Sequence, residues 1–284
     1  MSQDPTLVVS AAELAPEQLH QAFVGAFADY LIGSFQTTLA QWPGLLARQG
    51  IDLGLSRVVL EGRDRQILAF AFVAPRHESG RWRLATMGAL PAARGSGAAA
   101  RLLDDVLARA RAAGLAEAEL EVFAQNERAL RLYRGRGFET LHELHGYQAL
   151  PGSVAPAACE FRALEHEAAL AWLRDEAQAR LRDLPLQVTA ASLQSATGMS
   201  AWQKGSAQLM FSQPDDATVV VGSLIDWQPA QTDARALLQA LRAEFPQATL
   251  RVPQLQRLDL GGQALRELGF ETLPLHQLLM RAKL

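Results

Sequence analysis

Apolar residues stand at helical spacing near the start of the chain. Over residues 15–28 the positions three and four apart are Leu19, Ala22, Phe23, Ala26 and Phe27. This spacing predicts an amphipathic helix, and Pro16 suits its first turn. A second stretch of the same kind, over residues 39–48, ends near Gly50.

Apolar runs of strand length follow these helices. Residues 56–60 and 67–73 are joined by the turn Glu61-Gly62-Arg63-Asp64, so they predict a hairpin. Residues 81–90 predict a third strand, which leads into Pro91 and a loop of small residues.

Helix and strand then alternate. Residues 98–113 predict a helix that ends at Gly114, and residues 118–123 predict the next strand. Asn126 suits the N-cap of a further helix, which ends before Gly137. With its final strands, this half of the chain predicts an α/β layered domain, a mixed and mostly antiparallel sheet flanked by helices.

We expect two such domains. Residues 151–158 contain prolines and small residues without periodicity, so they are the best linker between a domain over residues 1–150 and another over residues 159–284. The elements predicted in the second half are helices over residues 165–181 and 234–244 and strands over residues 208–211, 218–226 and 248–252. Residues 268–273, Leu-Gly-Phe-Glu-Thr-Leu, closely repeat residues 136–141, Arg-Gly-Phe-Glu-Thr-Leu, which indicates a diverged copy.

The composition is that of an ordinary folded protein. The 284 residues are 49% hydrophobic and 20% charged, and the net charge of −3 gives no general attraction to nucleic acid or an anionic membrane. The single cysteine, Cys159, can form neither an internal disulfide nor a cysteine-based zinc site. Residues 1–14 lack the features of a secretory signal, and no apolar run reaches the ~20 residues of a membrane span. We therefore expect a cytoplasmic protein, monomeric or homodimeric, without nucleic-acid or membrane partners.

Gly95 and Gly97 stand where a predicted strand gives way to a helix, and alanines follow them. Because no bulky side chain obstructs the backbone, the N–H groups there can bind an anion such as a pyrophosphate. Arg94 adds a positive charge at the rim. Two other interpretations are a simple tight turn and the dinucleotide-binding fingerprint, with Glu117 as its acidic residue. The fingerprint requires a doubly wound half, whereas this loop follows an antiparallel group.

Three motifs in order resemble the GCN5-related N-acetyltransferase (GNAT) superfamily. Arg94, Gly97 and Ala99 match its loop Arg/Gln-x-x-Gly-x-Gly/Ala. Met87-Gly88-Ala89-Leu90-Pro91 resembles its strand-end segment, and Asn126-x-x-Ala129-x-x-Leu132-Tyr133-x-x-x-Gly137-Phe138 resembles its later motif. The resemblance covers about residues 6–150. It implies the GNAT fold and transfer of an acetyl group from acetyl-coenzyme A (acetyl-CoA) to a primary amine by direct attack, without a metal.

The resemblance also implies which residues hold the cofactor. The backbone of Met87, Gly88 and Ala89 would hold pantetheine, and Asn126 would contact the cofactor near its thiol. The residues implied at the pyrophosphate are Gly95, Ser96, Gly97, Ala98, Ala99 and Ala100, with Arg94 at their rim.

Two residues are implied in the chemistry. Tyr133 would be the general acid, because a phenol with an ordinary pKa of about 10 can protonate the departing thiolate. Glu121 would be the base, as the glutamate is in the branch of the family that acetylates ribosomal-protein N-termini. Glu119 on the same strand face, or water positioned by Thr86, are the alternatives for the base. Helix packing would also explain Tyr133, and an exposed strand position would explain Glu121.

The acceptor would be a small-molecule amine or a peptide N-terminus. In this family the N-terminal helices supply its pocket, so Phe27, Asp29 and Tyr30 are implied as substrate contacts, with Asp29 attracting a cationic amine. Core packing and a helix-end acid explain the same residues equally well. The histidines without a metal-binding pattern are His77, His142 and His145.

The second half lacks the residues that these roles need. It has Leu258 and Leu265 at the positions of Asn126 and Tyr133, and residues 226–233 connect strand to helix without the loop motif. We expect that this copy has lost cofactor binding and keeps a structural or acceptor-shaping role.

Two other classes of function stay open. A non-catalytic module that senses acyl-CoA or binds a partner needs only the loop, so the presence of Asn126 and Tyr133 favours an enzyme. A nicotinamide oxidoreductase predicts no affinity for coenzyme A. The fold itself does not select the acceptor.

Overall fold

The computed structural model describes residues 6–62, 65–181, 183–196 and 198–284. Two residues of the turn predicted at 61–64, Arg63 and Asp64, lie outside the described residues. No helix in the described ranges is long and apolar enough to cross a membrane.

Strands and helices alternate along both halves of the chain. The strands are β1 Thr6–Ser10, β2 Asp52–Glu61, β3 Gln66–Arg76, β4 Arg81–Ala89, β5 Glu117–Phe123, β6 Glu139–Ala149, β7 Arg162–Leu164, β8 Ser200–Lys204, β9 Ala207–Asp215, β10 Thr218–Asp226, β11 Thr249–Arg257 and β12 Glu271–Lys283. The α-helices are α1 Pro16–Ala26, α2 Trp42–Arg48, α3 Ala98–Ala112, α4 Glu127–Arg134, α5 His166–Ala179, α6 Ala190–Leu193, α7 Thr232–Glu244 and α8 Gly262–Glu267.

The chain folds into two compact units. Unit 1 comprises Met1–Val122, Asn126–Thr140 and Met280–Leu284, and unit 2 comprises Phe123–Gln125 and Leu141–Leu279. Most of β6 therefore belongs to unit 2, and the end of β12 belongs to unit 1. The domain limits drawn through the linker at residues 151–158 stay a prediction, because the compact units do not follow a single cut in the chain.

The sheet of unit 1 is mixed and mostly antiparallel. Strands β1 to β4 pair antiparallel in chain order, and β4 pairs parallel with β5. Helices α1 and α2 pack Leu19, Phe23 and Trp42 against Phe70 and Phe72 of β3. Because side chains alternate along a strand, Ala69 and Ala71 face the other side, where α3 lies across β2, β3 and β4.

Unit 2 repeats this plan. Strands β7 to β10 pair antiparallel in chain order, β10 pairs parallel with β11, and β11 pairs antiparallel with β6. Helix α7 buries Leu237, Leu238 and Leu241 in one core, and α5 buries Leu170 and Leu173 in another. The predicted fold class is confirmed: two α/β units, each with a mixed and mostly antiparallel sheet flanked by helices.

Strands β1, β7, β8 and β12 lie where no strand was predicted. Three of them are short: β1 spans Thr6–Ser10, β7 spans Arg162–Leu164 and β8 spans Ser200–Lys204. A pattern of this length is weak in the sequence, and pairing with neighbouring strands stabilises these strands in the fold.

Candidate functional site

The turn before α3 has the backbone that only glycine adopts easily. Gly95 has φ 88° and Gly97, the N-cap residue of α3, has φ 86°. A Cβ atom on either glycine would meet no heavy atom within 4 Å, so the space beside both is open. The first N–H groups of a helix have no acceptor within the helix. Within the turn, the N–H of Ser96 donates to the carbonyl of Ala93 at 3.2 Å and that of Ala98 to Oγ of Ser96 at 3.3 Å. The candidate donors to a ligand are therefore the other N–H groups of the turn and of the first turn of α3.

The neighbouring edge of β4 is available to a ligand as well. Strand β4 pairs with β5 from Trp82 to Leu84 and then continues to Ala89. Its last residues, Met87, Gly88 and Ala89, pair with β3 on their other side. Within the described residues, β4 and β5 thus separate just before the turn that precedes α3.

Arg94 bonds to the end of the first helix. Its guanidinium makes a two-bond ion pair with Asp29, with Nη1–Oδ2 and Nη2–Oδ1 distances of 2.5 and 2.6 Å, and Nη2 also donates to the carbonyl of Ala26 at 3.1 Å. The bond to Arg94 lowers the pKa of Asp29, and the bond to Asp29 raises the pKa of Arg94. The resemblance implied that the Asp29 carboxylate is open to an amine of the acceptor. In the structure, Arg94 engages both of its oxygens.

Two of the predicted site residues lie at the two ends of α4. Asn126 caps the start of this helix by accepting the N–H of Ala129 through Oδ1 at 3.1 Å. Tyr133, near the end of the helix, is buried against the ring of Phe138 and interacts electrostatically with Tyr30.

Burial governs the protonation of both phenols. Desolvation raises the pKa of Tyr133 well above its ordinary value, and the interaction with Tyr30 raises it further. Desolvation also raises the pKa of Tyr30, against an opposing effect of the Asn126 amide. Both side chains are thus neutral hydroxyl groups that can donate a proton near neutral pH.

Glu121 lies in a buried ion pair. Its carboxylate accepts a hydrogen bond from Nη2 of Arg83 at 2.8 Å, and both side chains are almost fully buried. Nη1 of Arg83 also contacts Gln49 at 3.3 Å. This arrangement differs from the accessible base that the resemblance implied, because the carboxylate is already bonded to a guanidinium.

Glu119 is engaged in the same way. It bonds to Nη1 of Arg76 at 2.7 Å and to Nη2 of Arg281 at 3.4 Å, and it is 1% exposed. The sequence carries a signal for the pairs between β4 and β5, in which Arg81 bonds to Glu117 at 2.6 Å and Arg83 to Glu121 at 2.8 Å. Arg81 and Arg83 alternate on β4 as the glutamates do on β5, whereas the partners of Glu119 come from β3 and β12. Alternating opposite charges on two neighbouring strands indicate cross-strand pairs.

Phe27 is a core residue. It is 8% exposed and packs against Phe23, Tyr30, Phe35 and Phe70 at ring distances of 4.9 to 6.2 Å. The resemblance implied that Phe27 contacts the acceptor, whereas in the structure its ring lies in the interior of unit 1.

A comparison with known protein families finds a match, within the first half of the chain. Residues 19–138 match the model of the acetyltransferase (GNAT) family, a range that includes the turn before α3, Asn126 and Tyr133. The matched range lies within the first half of the chain and spans less than half of its 284 residues. Family and fold together support an acyl-CoA-dependent N-acetyltransferase in general. No curated protein matches the sequence.

Solved GNAT structures share the fold over nearly the whole chain. A GCN5-related N-acetyltransferase from Sphaerobacter thermophilus has a TM-score of 0.64 and 15% identity, covering 98% of this chain and 95% of its own. One from Anabaena variabilis has a TM-score of 0.63 and 16% identity, with coverages of 98% and 72%. A tandem GNAT protein from the clavulanic acid biosynthesis pathway has a TM-score of 0.61 and 13% identity, with 98% of both chains covered. The GNAT fold therefore extends over both halves.

In unit 2, side chains occupy the places that correspond to the open parts of the candidate site in unit 1. Asp226, fully buried at the end of β10, accepts hydrogen bonds from Ser206 Oγ at 2.7 Å, Gln228 N at 3.0 Å and Ala234 N at 3.1 Å. Ala234 lies in the first turn of α7, so an internal carboxylate neutralises the helix end that would otherwise attract a phosphate.

Two glutamines close the rest of this space. Gln231 donates to the carbonyl of Leu258 at 2.9 Å and accepts the N–H of Ala264 at 2.9 Å, which ties the start of α7 to α8. Gln256 donates to the carbonyl of Leu224 near the end of β10 at 3.1 Å. Unit 2 thus has the GNAT plan with its cleft filled by hydrogen-bonded side chains.

Two histidines contact each other in unit 2. His145 contacts Glu143 at 3.0 Å and stacks on His276 at 5.1 Å, all within unit 2. Over the described ranges, no group of three or more His, Cys, Asp or Glu side chains could hold a metal ion.

Proposed function

We propose that unit 1 binds acetyl-CoA and transfers its acetyl group to a primary amine, either of a small molecule or of a peptide N-terminus. The observation that carries this proposal is that one unit combines an open glycine turn at the start of α3, the free edge of β4, and a buried phenol on α4, the helix that Asn126 caps. A cytoplasmic location fits the single cysteine.

The backbone of unit 1 fits the phosphates of this cofactor. The N–H groups of Gly95, Gly97, Ala99 and Ala100 and the positive end of the α3 dipole would bind the pyrophosphate, whereas those of Ser96 and Ala98 would first have to give up their bonds to Ala93 and to Oγ of Ser96. We assign these contacts to the backbone, since the guanidinium of Arg94 is bonded to Asp29. The open space beside Gly95 and Gly97 lets the phosphates approach the donors.

The free edge of β4 fits the pantetheine arm. Backbone groups of Met87, Gly88 and Ala89 on the side away from β3 would bond the amides of this arm. Gly88 has no room for a side chain, because a Cβ atom would lie 2.8 Å from the ring of Phe70 and 2.9 Å from Ala26. Glycine at position 88 therefore allows β4 to pass close to Ala26 of α1 and to the ring of Phe70.

Tyr133 would supply the proton for the leaving group. The amine attacks the thioester carbonyl, the carbon–sulfur bond breaks, and the phenol donates its proton to the thiolate. A neutral phenol is required, and the burial that raises the pKa of Tyr133 keeps it neutral.

The proton that the amine loses would pass to water. Glu121 could accept it only by giving up its bond to Arg83, so we prefer a water chain as the route. Glu121→Gln is then expected to reduce turnover only slightly.

Thiol release from acetyl-CoA tests the proposal. Turnover that depends on an amine in a mixed panel of amino acids, polyamines and short peptides is the expected result. Binding of acetyl-CoA without thiol release for any member would support a non-catalytic acyl-CoA sensor. A chain that neither binds acetyl-CoA nor releases thiol would contradict the proposal.

A further inference from the structure

Arg136, just after α4, is the position at which the two repeated segments differ. Residues 136–141 are Arg-Gly-Phe-Glu-Thr-Leu, and residues 268–273 are Leu-Gly-Phe-Glu-Thr-Leu. In unit 2, Leu268 packs against the apolar core that contains Leu265 of α8 and the buried leucines of α7. Unit 1 thus has a charged side chain where unit 2 has an apolar one.

The guanidinium of Arg136 joins two helices of the candidate site. Its Nε and Nη2 atoms donate to the two carboxylate oxygens of Asp104 on α3, at 2.6 and 2.9 Å. Nη2 also donates to the carbonyl of Ala100, in the first turn of α3, at 3.5 Å, and Nη1 donates to that of Leu132 on α4 at 3.4 Å. This side chain therefore connects the helix that begins at the glycine turn with the helix that carries Tyr133.

The backbone around Arg136 holds Tyr133 as well. The carbonyl of Tyr133 accepts the N–H of Arg136 at 2.9 Å and the N–H of Phe138 at 3.2 Å. The rings of Tyr133 and Phe138 pack against each other at 5.9 Å. Gly137, with φ 81°, allows the chain to turn back in this way. A displacement of Arg136 would therefore displace the turn that holds Tyr133.

The pair of Arg136 with Asp104 fixes orientation more than it contributes to stability. The two side chains are 23% and 61% exposed, and an ion pair at such a position contributes little to the free energy of unfolding. Two parallel bonds between a guanidinium and a carboxylate nevertheless set both the distance and the angle between the groups. Apolar packing, such as that of Leu268, is not directional. The pair is therefore suited to holding α4 at one position on α3.

We propose that Arg136 and Asp104 are positioning residues of the acetyl transfer, which keep Tyr133 at a fixed distance from the turn before α3. This inference rests on the proposed function. Pyrophosphate bound at that turn would fix one end of acetyl-CoA, and the phenol must meet the sulfur at the other end. Arg136 and Asp104 act through the relative position of α3 and α4, and neither touches the bond that breaks.

The first test is Arg136→Leu, which introduces the residue that unit 2 has at this position. The expected result is a kcat for thiol release lower by roughly tenfold to a hundredfold, since small misplacements at a reacting centre reduce rates by factors of this order. The Kd for acetyl-CoA, measured by isothermal titration, should change little, because the turn before α3 is untouched. A kcat equal to that of the native chain would overturn the inference.

A second pair of variants asks whether geometry or charge matters. Arg136→Lys keeps the positive charge but loses the planar fork that forms two bonds. We expect its kcat to stay close to that of Arg136→Leu. A kcat restored to the native value by lysine would show that charge alone suffices, and this would overturn the inference.

The exposed variant Asp104→Asn tests the other side of the pair. It keeps the size of the side chain and loses one of the two acceptor oxygens. If Asp104 and Arg136 act as a unit, the double variant with Arg136→Leu loses no more kcat than the larger of the single losses. Losses that multiply would show that the two residues act separately, contrary to the inference.

Unit 2 provides a matched control for stability. Arg235 of α7 and Glu267 of α8 form an ion pair between two helices, and α8 has Leu265 at the position of Tyr133. Arg235→Leu removes a pair of the same kind and should leave kcat unchanged. An equal loss of kcat in Arg235→Leu and Arg136→Leu would assign the effect to stability and overturn the inference.

The native chain distinguishes failure of this inference from failure of the proposed function. If the native chain binds no acetyl-CoA and releases no thiol, the proposed function fails and the inference with it. If the native chain is active and Arg136→Leu matches it, the inference alone fails.

Discussion

The phenol of Tyr133 is buried beside Phe138 and close to Tyr30, in a setting that keeps it neutral. Tyr133→Phe removes the proton that the departing thiolate needs and leaves the packing of the ring intact. We expect kcat for thiol release to fall by about 10²- to 10⁴-fold, the usual contribution of a general acid. The affinity for acetyl-CoA, measured by calorimetry, should be nearly unchanged. Equal turnover in the variant would remove Tyr133 from the mechanism.

The tyrosines also give a prediction about pH. The chain has three, Tyr30, Tyr133 and Tyr147, and burial raises the pKa of each. Because the pKa of each tyrosine is higher in the folded chain than in the unfolded chain, these groups make their full contribution to stability below the unfolded pKa of about 10. That contribution is lost as the pH rises through the folded pKa values. Tyrosinate absorbance of the native chain should therefore appear at higher pH than in denaturant. A tyrosine that ionises near pH 10 in the native chain would contradict this assignment.

At the scale of elements, the turn before α3 can be tested against the other end of the same helix. Gly97 and Gly114 both have positive φ, 86° and 76°, and neither would meet a heavy atom within 4 Å if it had a Cβ. Alanine at either position should cost about 1–2 kcal/mol of stability. Only Gly97→Ala should weaken acetyl-CoA binding, by roughly tenfold, because a misplaced donor loses a charge-assisted bond. Equal affinities for the two variants would place the phosphates elsewhere.

The filled cleft of unit 2 makes a second prediction for an element. Asp226→Asn replaces an acceptor of several hydrogen bonds with a group that presents an amide donor to other donors. We expect a loss on the order of 1.5–3 kcal/mol in the free energy of unfolding, measured with denaturant. Asp215→Asn, at an exposed position where Oδ1 accepts one N–H from Ala217, is the control and should cost much less. Similar losses for both would show that Asp226 does not stabilise this cleft.

The sequence predicted those parts of the site whose cause is local. The need for glycine at positions 95 and 97 follows from a turn between strand and helix, and the capping role of Asn126 follows from its place before α4. The ion pair of Asp29 with Arg94 joins residues far apart in the chain, and no local pattern specifies it.

For the whole molecule, periodicity predicted the α/β class and the repeat but could not show that the two compact units take strands from each other's halves. The relevant segments, β6 and the end of β12, have the alternation of ordinary strands. Packing decides which strands these segments pair with, because their alternation would suit the strands of either unit.

The difference between the open turn of unit 1 and the filled cleft of unit 2 provides the most direct test. Unit 1 has an open glycine turn at the start of α3, whereas Asp226, Gln231 and Gln256 fill the corresponding space in unit 2. Isothermal titration of the full chain with acetyl-CoA should therefore give one site per chain, weakened by Gly97→Ala. Two sites per chain, or no binding at millimolar acetyl-CoA, would contradict the account.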